Sequence, residues 1–204
     1  MCVAKQLNLK LPQWGGRRKG AGRKPTQARP GLIRPGVPHL RKPALNARHP
    51  LHVTLRLLKR IPSLRRSDVR RALESAFHAA RERFGFRLVH YSIQGNHLHL
   101  IVEAEDATAL SRGMQGLTIR CARAINRALN RKGKVFVERF HAHVLRSRRE
   151  VANAMRYVLE NAEHHGEYTP RDPYTSQRWL WRVPDETAPV RPPRTWLLRV
   201  GWRA

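Results

Sequence analysis

The chain contains 204 residues, of which 41 are Lys or Arg and 14 are Asp or Glu, and its formal net charge is +27. This length suits one core domain with appended segments, and two cysteines, Cys2 and Cys121, cannot build a zinc cluster. No run approaches the roughly 18 apolar residues of a membrane helix, and no signal-peptide apolar region is found, so we expect a cytoplasmic protein without a membrane partner.

The positive charge is concentrated in the N-terminal third. Residues 1–67 hold 17 Lys and Arg and no acidic residue, and the first carboxylate is that of Asp68. An excess of this size predicts a polyanionic partner, and nucleic acid is the default. A membrane surface is the alternative, but no long apolar amphipathic helix carries the basic residues.

Residues 1–50 are predicted to form a basic, Pro/Gly-rich arm that is largely disordered, because their apolar residues are too scattered to bury a core. Residues 14–25 resemble an AT-hook, in which a Gly-Arg-Pro core lies in a narrow A·T minor groove. Lys24 separates Arg23 from Pro25, so a nonspecific tail along phosphates is favoured over groove recognition. The predicted DNA contacts of the arm are Arg17, Arg18, Lys19, Arg23 and Lys24.

A folded domain is predicted over residues 51–166. In its first half, alternation of apolar residues predicts strands at 51–57, 86–93 and 97–103, with a Gly95-Asn96 turn between the last two. Apolar residues at helical spacing predict a helix at 67–84, after the first strand. Phe84 is the last apolar position of the predicted helix, and Gly85 ends it.

The second half of the domain completes a recognisable order of elements. The predicted elements are helix 106–130, strand segments 135–137 and 140–146, and helix 149–164. Cys121 lies on the apolar face of the first of these helices and is predicted to be a core residue. The order predicts an α+β ferredoxin-like βαββαβ sandwich, with helices on one sheet face, the other face free, and an additional C-terminal helix.

Residues 167–204 contain six prolines and four tryptophans. This density of proline predicts no regular structure. We expect the tryptophans to dock parts of the tail on the domain, in preference to stacking on bases.

The predicted third strand begins with two histidines, His97 and His99. Side chains two apart share one face of a strand, so both imidazoles can bind one metal ion while Leu98 faces the core. Chance occurrence of two histidines on a surface strand is the competing interpretation. His141 and His143 form a second such pair and are the less favoured metal ligands.

The third predicted helix can supply a further ligand and a reactive group. Tyr157 and Asn161 are four residues apart and share a helix face with Asn153. A tyrosine at the edge of the core is the competing interpretation of Tyr157, but the polar residues on its face argue against full burial. Weaker nucleophile candidates, which lack a polar helical partner four residues on, are Tyr91, Tyr168 and Tyr174.

Taken together, these motifs resemble the single-tyrosine HUH transposases. The resemblance rests on His97-Leu98-His99, followed later in the chain by Tyr157-Val158-Leu159-Glu160-Asn161. The basic arm, the opening strand from His49 to Thr54 and the segment 139–143 are similar to the REP-associated tyrosine transposase branch. The similarity covers about residues 15–166 and leaves out the tail.

This resemblance implies a DNA nickase and strand transferase. His97 and His99 would hold a divalent cation, Mg²⁺ or Mn²⁺, with Asn161 as third ligand where many members have glutamine. Tyr157 would attack single-stranded DNA, form a 5′-phosphotyrosine and free a 3′-OH. The family's targets are hairpin-forming repetitive extragenic palindromes, so the implied partner is single-stranded or hairpin DNA.

Basic side chains outside the arm are predicted to contact DNA and to supply affinity rather than sequence choice. They are Arg120, Arg123, Arg127, Arg146, Arg148, Arg149, His141 and His143. We also expect a nucleoid-associated protein in the cytoplasm. The resemblance favours a monomer, as in the REP-associated branch, with a dimer as the alternative because single-tyrosine insertion-sequence enzymes share sites between subunits.

A non-catalytic nucleic-acid binder is the alternative function. A ferredoxin-like sheet with a basic arm can hold RNA on its free face, but such domains stack bases on exposed strand aromatics. Here the central strand offers His97 and His99 instead, which favours catalysis.

Overall fold

The computed structural model describes residues 45–160, 172–180 and 185–203. The arm as far as residue 44, with its AT-hook-like stretch, lies outside the described residues, and so do Asn161 and Tyr168. Within the described ranges, no helix is long and apolar enough to cross a lipid bilayer.

Strands and helices alternate along the described chain. The strands are β1 (Leu51–Arg56), β2 (Glu82–Arg83), β3 (Phe86–Ile93), β4 (His97–Ala104) and β5 (His141–Val144). The helices are α1 (Ser67–Ala80), α2 (Ala107–Ala128), α3 (Arg148–Leu159) and α4 (Trp196–Arg199). Two short 3₁₀ turns lie in the tail, at Gln177–Trp179 and Gly201–Arg203.

The five strands form one antiparallel sheet in the order β2-β3-β4-β1-β5. Apart from the short β2, this is the strand order of a ferredoxin-like sandwich, in which the first and third long strands lie side by side at the centre. The α+β prediction is therefore confirmed. The topology places β4, which carries His97 and His99, beside β1.

One face of the sheet holds the larger core. Leu51, Val53 and Leu55 of β1 alternate toward this face and are almost completely buried. They pack with α1 and α2, whose apolar residues recur at helical spacing, and Cys121 of α2 is fully buried there as predicted. Burial raises the pKa of the Cys121 thiol to about 12, because a thiolate would lose its hydration in this core.

The other face of the sheet carries α3, and the prediction that it is free is wrong. Val151, Met155 and Val158 of α3 are buried against Val89 and Ile101 of the sheet in a second, smaller core. Val89 is turned toward this side by a β-bulge between Leu88 and His90 in the pairing of β3 with β4. The sheet is thus covered by helices on both faces.

Two predicted helix ends also differ from the structure. Helix α1 stops at Ala80 because residues 82–83 pair as β2, and Phe84 adopts a left-handed φ of 51° and is 73% exposed. Phe84 is therefore a turn residue and not the end of an apolar helix face. Helix α3 ends at Leu159 with Glu160 as its C-terminal cap, which is earlier than predicted.

The described parts of the tail contact the domain through backbone and side-chain hydrogen bonds. Asp172 accepts two hydrogen bonds from the Arg65 guanidinium at 3.1 Å, and its side chain is only 3% exposed. Farther along, Ser176 contacts β3 and Val190 is buried in the larger core. The prediction that the tail lacks regular structure is wrong at α4, where four residues form a helical turn.

Gly113 of α2 allows a close approach between this helix and Phe86 of β3. A Cβ at this position would overlap the ring of Phe86, whereas a Cβ at Gly116 would meet no atom within 4 Å. Gly113→Ala is therefore expected to lower the free energy of unfolding by about 1–3 kcal/mol through overpacking. Gly116→Ala is expected to raise it by up to ~1 kcal/mol through helix propensity. Urea unfolding of the two variants tests this contrast, and equal effects would contradict it.

The burial of His90 predicts that acid lowers the free energy of unfolding. Its Nδ1 lies 3.0 Å from the Ser176 hydroxyl, and complete burial lowers the pKa of His90 from 6.5 to about 4. As pH falls from 6.5 to about 4, the unfolded state takes up a proton that the folded state refuses. The free energy of unfolding should thus be unaffected by this group above pH 6.5 and fall by up to ~3 kcal/mol toward pH 4.

Urea unfolding across this pH range measures the effect. His90→Asn places an amide near the former Nδ1 position and removes the titrating ring. It should reduce the acid slope even if it lowers stability at neutral pH. An unchanged slope would show that His90 is not the group responsible.

Candidate active site

The pairing of β1 with β4 builds the site. Thr54 lies opposite His99 in the register, and paired residues of antiparallel strands project to the same face. Because Leu98 and Leu100 are fully buried in the larger core, His97 and His99 project to the opposite face. Alternation along one strand thus places both imidazoles beneath α3.

The two histidines and Tyr157 come together in space. The ring centroids of His97 and His99 are 4.5 Å apart and nearly perpendicular, at 86°. The Tyr157 ring lies 5.0 Å from the His99 ring in an edge-on arrangement. Tyr157 is 39% exposed although His99 is only 4% exposed, so the phenol lies at the rim of the site and is open to solvent.

The position of Tyr157 is set by the packing and capping of α3. The apolar side of α3 is buried on the sheet, which leaves Tyr157 at the edge of the smaller core, above His99. At the N-terminus, the Ser147 hydroxyl accepts from the Glu150 backbone N–H, while Glu150 accepts from the Ser147 N–H. This capping box fixes where the helix starts, and hence the height of Tyr157 above the sheet.

His52 and Thr54 of β1 also belong to this cluster, although sequence reasoning did not select them. His52 Nε2 lies 3.1 Å from His99 Nδ1, and the Thr54 hydroxyl lies 3.3 Å from the same atom. The His52 ring is 5.9 Å from the Tyr157 ring. Burial, with a smaller effect from His143, lowers the pKa of His52 to about 4, so this imidazole is neutral at neutral pH.

The other tyrosines within the described residues lie away from the histidines. Tyr91 is fully buried in the larger core, and its hydroxyl donates to Glu74 at 2.9 Å. Burial, and then the Glu74 carboxylate, raise the pKa of Tyr91. Tyr174 lies under the Arg65 guanidinium at 4.5 Å. Neither phenol contacts the histidine cluster.

The second histidine pair lies on β5 at the edge of the sheet. His143 is opposite His52 and His141 is opposite Thr54 in the register, so both share the face of the candidate site. Both are exposed, and His141 Nε2 is 3.9 Å from a Glu138 carboxylate oxygen. Their position is compatible with contact to a polyanion that passes over this face.

The predicted DNA-binding arginines separate into two groups. Arg146, Arg148 and Arg149 lie at the start of α3, on the face that carries the histidines, although Arg148 Nε donates to the Gly201 carbonyl at 3.0 Å. The second group lies on α2, across the sheet from the histidines: Arg120, Arg123 and Arg127. The first group therefore shares the sheet face of the candidate site, and its Arg146 lines a cavity at the far end of that face.

Two cavities lie at opposite ends of the central strands. One of about 460 Å³ adjoins the site and is lined by His97, Asn96 and Arg65 among others. A larger one, of about 720 Å³, lies near Ala104 and Trp196 and shares no lining residue with the first. The smaller cavity therefore offers space next to the histidines, and the larger one is a separate feature.

The donor set fits a weakly held divalent cation. Within residues 45–160, 172–180 and 185–203, no three His, Cys, Asp or Glu side chains form a group arranged to hold a metal ion. His97 and His99 offer two imidazoles on one face, with ring centroids 4.5 Å apart. Mg²⁺ and Mn²⁺ prefer oxygen ligands to imidazole, so two histidines would hold either ion weakly and leave positions for oxygen ligands.

The fold is similar to that of a solved structure described as "Structure of the REP associates tyrosine transposase bound to a REP hairpin". The TM-score is 0.56 and the sequences are 16% identical, over 72% of this chain and 87% of the other. At this identity the likeness shows a shared fold. Among curated protein sequences, none matches this chain significantly.

A family profile extends over the domain that carries the site. The profile of the family described as "Transposase IS200 like" matches residues 47–161, which is more than half of the chain and includes β1, β4 and α3. The chain therefore belongs to the IS200-like transposase family.

Proposed function

We propose that this transposase is a metal-dependent endonuclease and strand transferase that cuts hairpin-forming repetitive single-stranded DNA through a 5′-phosphotyrosine. The observation that carries the proposal is the placement of the Tyr157 ring 5.0 Å from the His99 ring, above two histidines on one strand face. On this face, a hydroxyl nucleophile would lie beside a site for a cation that stabilises phosphate charge, which is an arrangement suited to phosphoryl transfer.

His97 and His99 are the proposed protein ligands of Mg²⁺ or Mn²⁺, and the amide of Asn161, which lies outside the described residues, is the proposed third ligand. When bound, the cation polarises the scissile phosphate and offsets charge that develops during transfer. The rigid strand holds the two imidazoles in place. Helix α3 ends at Leu159, two positions before Asn161 in the sequence.

Tyr157 is the proposed nucleophile. Its Oη attacks the phosphorus in line, the bond from phosphorus to the 3′-oxygen breaks, and that oxygen leaves as a 3′-OH after taking up a proton. The downstream fragment stays joined to Tyr157 through its 5′-phosphate. A different 3′-OH can then attack the phosphotyrosine and release the phenol, which rejoins strands without a nucleotide cofactor.

The site is proposed to be formed within one chain, which favours a monomer. Its support is the contact of Tyr157 with the rings of both His52 and His99 of the same chain. A dimer that exchanged helices would instead require α3 to leave the smaller core on its own sheet. That core buries five residues of α3, namely Val151, Ala154, Met155, Val158 and Leu159.

A folded DNA strand is the proposed substrate. The likeness to a protein described as bound to a REP hairpin supports this choice, together with the net charge of +27. Arg146 and Arg149, with His141 and His143 on β5, are the proposed phosphate contacts on the sheet face that carries the site. Contact with the arginines of α2 would require DNA that also reaches the other face of the sheet.

The arm is proposed to add affinity on chromosomal DNA, and thereby association with the nucleoid. Residues 1–50 hold 12 Lys and Arg and no acidic residue, so their contribution should be mainly electrostatic. Arg17, Arg18, Lys19, Arg23 and Lys24 are the proposed phosphate contacts, and minor-groove recognition by the three arginines is the less favoured alternative. A recognition-motif-like binder is less favoured because α3 covers part of the sheet face that RNA would need.

Covalent capture of a labelled hairpin tests the nucleophile. The wild-type protein, incubated with Mn²⁺ and a hairpin oligonucleotide labelled at its 3′ end, should give a labelled protein band on a denaturing gel. With a 5′-end label, the same reaction should instead release a shorter free fragment. Tyr157→Phe should abolish both products, since phenylalanine keeps the ring and lacks the hydroxyl.

Tyr174→Phe is the matched control, because this tyrosine lies away from the histidines and stacks on Arg65. It should retain the adduct. His99→Ala, or removal of the metal with EDTA, should reduce adduct formation while hairpin binding persists. Tight, metal-independent binding with no adduct in the wild type would contradict the enzymatic proposal and support a non-catalytic binder.

Salt dependence of hairpin binding tests the arm. Deletion of residues 1–44 should weaken binding. It should also make the slope of the logarithm of the association constant against the logarithm of salt concentration less steep, by about 0.7–0.9 for each phosphate that the arm neutralises. The amount of adduct formed per bound complex should be unchanged, because the site lies in the folded domain. An unchanged slope would show that the arm does not contact the hairpin.

A charge-conserving variant separates the two proposed binding modes of the arm. Replacing Arg17, Arg18 and Arg23 with lysine keeps the charge, so the salt slope should stay the same. Loss of any preference for A·T-rich duplex in this variant would indicate minor-groove recognition. An unchanged preference would indicate phosphate contacts alone.

A further inference from the structure

His99 has two ring nitrogens, and β1 faces one of them. Nδ1 lies 3.1 Å from His52 Nε2 and 3.3 Å from the Thr54 hydroxyl. The nitrogens of an imidazole point away from each other, so β1 approaches Nδ1 and leaves Nε2 directed elsewhere. His99 is almost completely buried, which makes the direction of its hydrogen bonds costly to change.

The direction of the His52–His99 hydrogen bond determines whether His99 can bind a cation. A neutral imidazole carries its proton on one nitrogen only. If Nδ1 of His99 donates to His52, Nε2 has a lone pair available for a metal. If His52 donates to Nδ1 instead, a neutral His99 holds its proton on Nε2 and cannot ligate a metal there.

We propose that His52 is a positioning residue that accepts a hydrogen bond from His99 Nδ1 and thereby holds His99 in the tautomer whose Nε2 can bind a divalent cation. This inference rests on the proposed function. It assigns to His52 the role that a hydrogen-bonded partner in the outer shell has at other histidine metal sites. Neither the family match nor the fold similarity specifies such a role.

His52 is placed to act through His99 and not as a ligand itself. Its Nε2 is engaged with His99 Nδ1, on the side of the His99 ring away from Nε2. The tilted contact of the two rings, 34° with centroids 5.1 Å apart, also limits rotation of the His99 ring. Thr54 is a weaker partner because its contact is longer and a hydroxyl can either donate or accept.

The tautomer of His99 can be measured in the metal-free protein. Long-range ¹H–¹⁵N NMR of the full chain, at mildly alkaline pH, distinguishes a proton on Nδ1 from one on Nε2. We expect His99 to carry its proton on Nδ1 in the wild type and in His52→Gln, since the glutamine carbonyl can accept near the Nε2 position. In His52→Phe the Nδ1 tautomer should decline. A wild-type His99 with its proton on Nε2 would overturn the proposal.

The affinity for Mn²⁺, measured by titration calorimetry or by the electron paramagnetic resonance of free Mn²⁺, gives a second readout that needs no DNA. His52→Phe should weaken binding by about 10–100-fold, the usual effect of removing an outer-shell partner. His52→Gln should restore most of the affinity. His78→Phe is the matched control, because His78 lies on α1, on the other side of the sheet.

The possible outcomes separate this inference from the proposed function. Wild-type affinity in His52→Phe would overturn the positioning role, and so would a loss in Thr54→Val that exceeds the loss in His52→Phe. Failure of His52→Gln to restore binding would also count against it, because it would indicate a requirement for imidazole itself. Absence of Mn²⁺ binding in the wild type would contradict the proposed metal site. The tautomer measurement would still determine the direction of the hydrogen bond between His52 and His99.

Discussion

The antiparallel pairing of β1 with β4 is the constraint on which the rest of the structure depends. Its register sets Thr54 opposite His99 and Leu55 opposite Leu98. Leucines and valines of both strands therefore face α1 and α2, while His52, Thr54, His97 and His99 lie on the face that carries α3. A slip of one residue would exchange the two faces, burying imidazoles in an apolar core and exposing leucines. Core stability and site geometry are thus set by the same backbone hydrogen bonds.

The two cores contribute differently to the site. The larger core holds the sheet and fixes the position of β4, and its buried groups, such as the Cys121 thiol, take no part in the proposed chemistry. The smaller core holds only α3 and part of the tail against the sheet, and it sets the position of Tyr157. Histidines and tyrosine therefore depend on separate sets of apolar contacts, and a substitution in one core can disturb one component while sparing the other.

The order of elements and the two-histidine face followed from the sequence because both depend on local patterns. Alternation in β4 is enough to place His97 and His99 on one face. The βαββαβ order is enough to predict the order of the long strands in the sheet. The role of His52 depends on strand adjacency. It could have been inferred, because a ferredoxin-like order makes β1 the neighbour of β4 and His52 alternates with buried residues. The cover provided by α3 follows from alternation only in part: Ile101 shares the face of His97 and His99, whereas Val89 joins that face through the bulge.

The contact of the tail with α3 affects when the site can form during synthesis. Leu198 is buried in the smaller core, Trp202 packs beside it, and the Gly201 carbonyl accepts from Arg148 at the start of α3. A nascent chain on the ribosome can pair its strands and bring the histidines together long before these residues emerge from the exit tunnel. Full packing of the tyrosine-bearing helix must await them. An unfinished chain would thus display its histidine pair before the helix above it is fully seated.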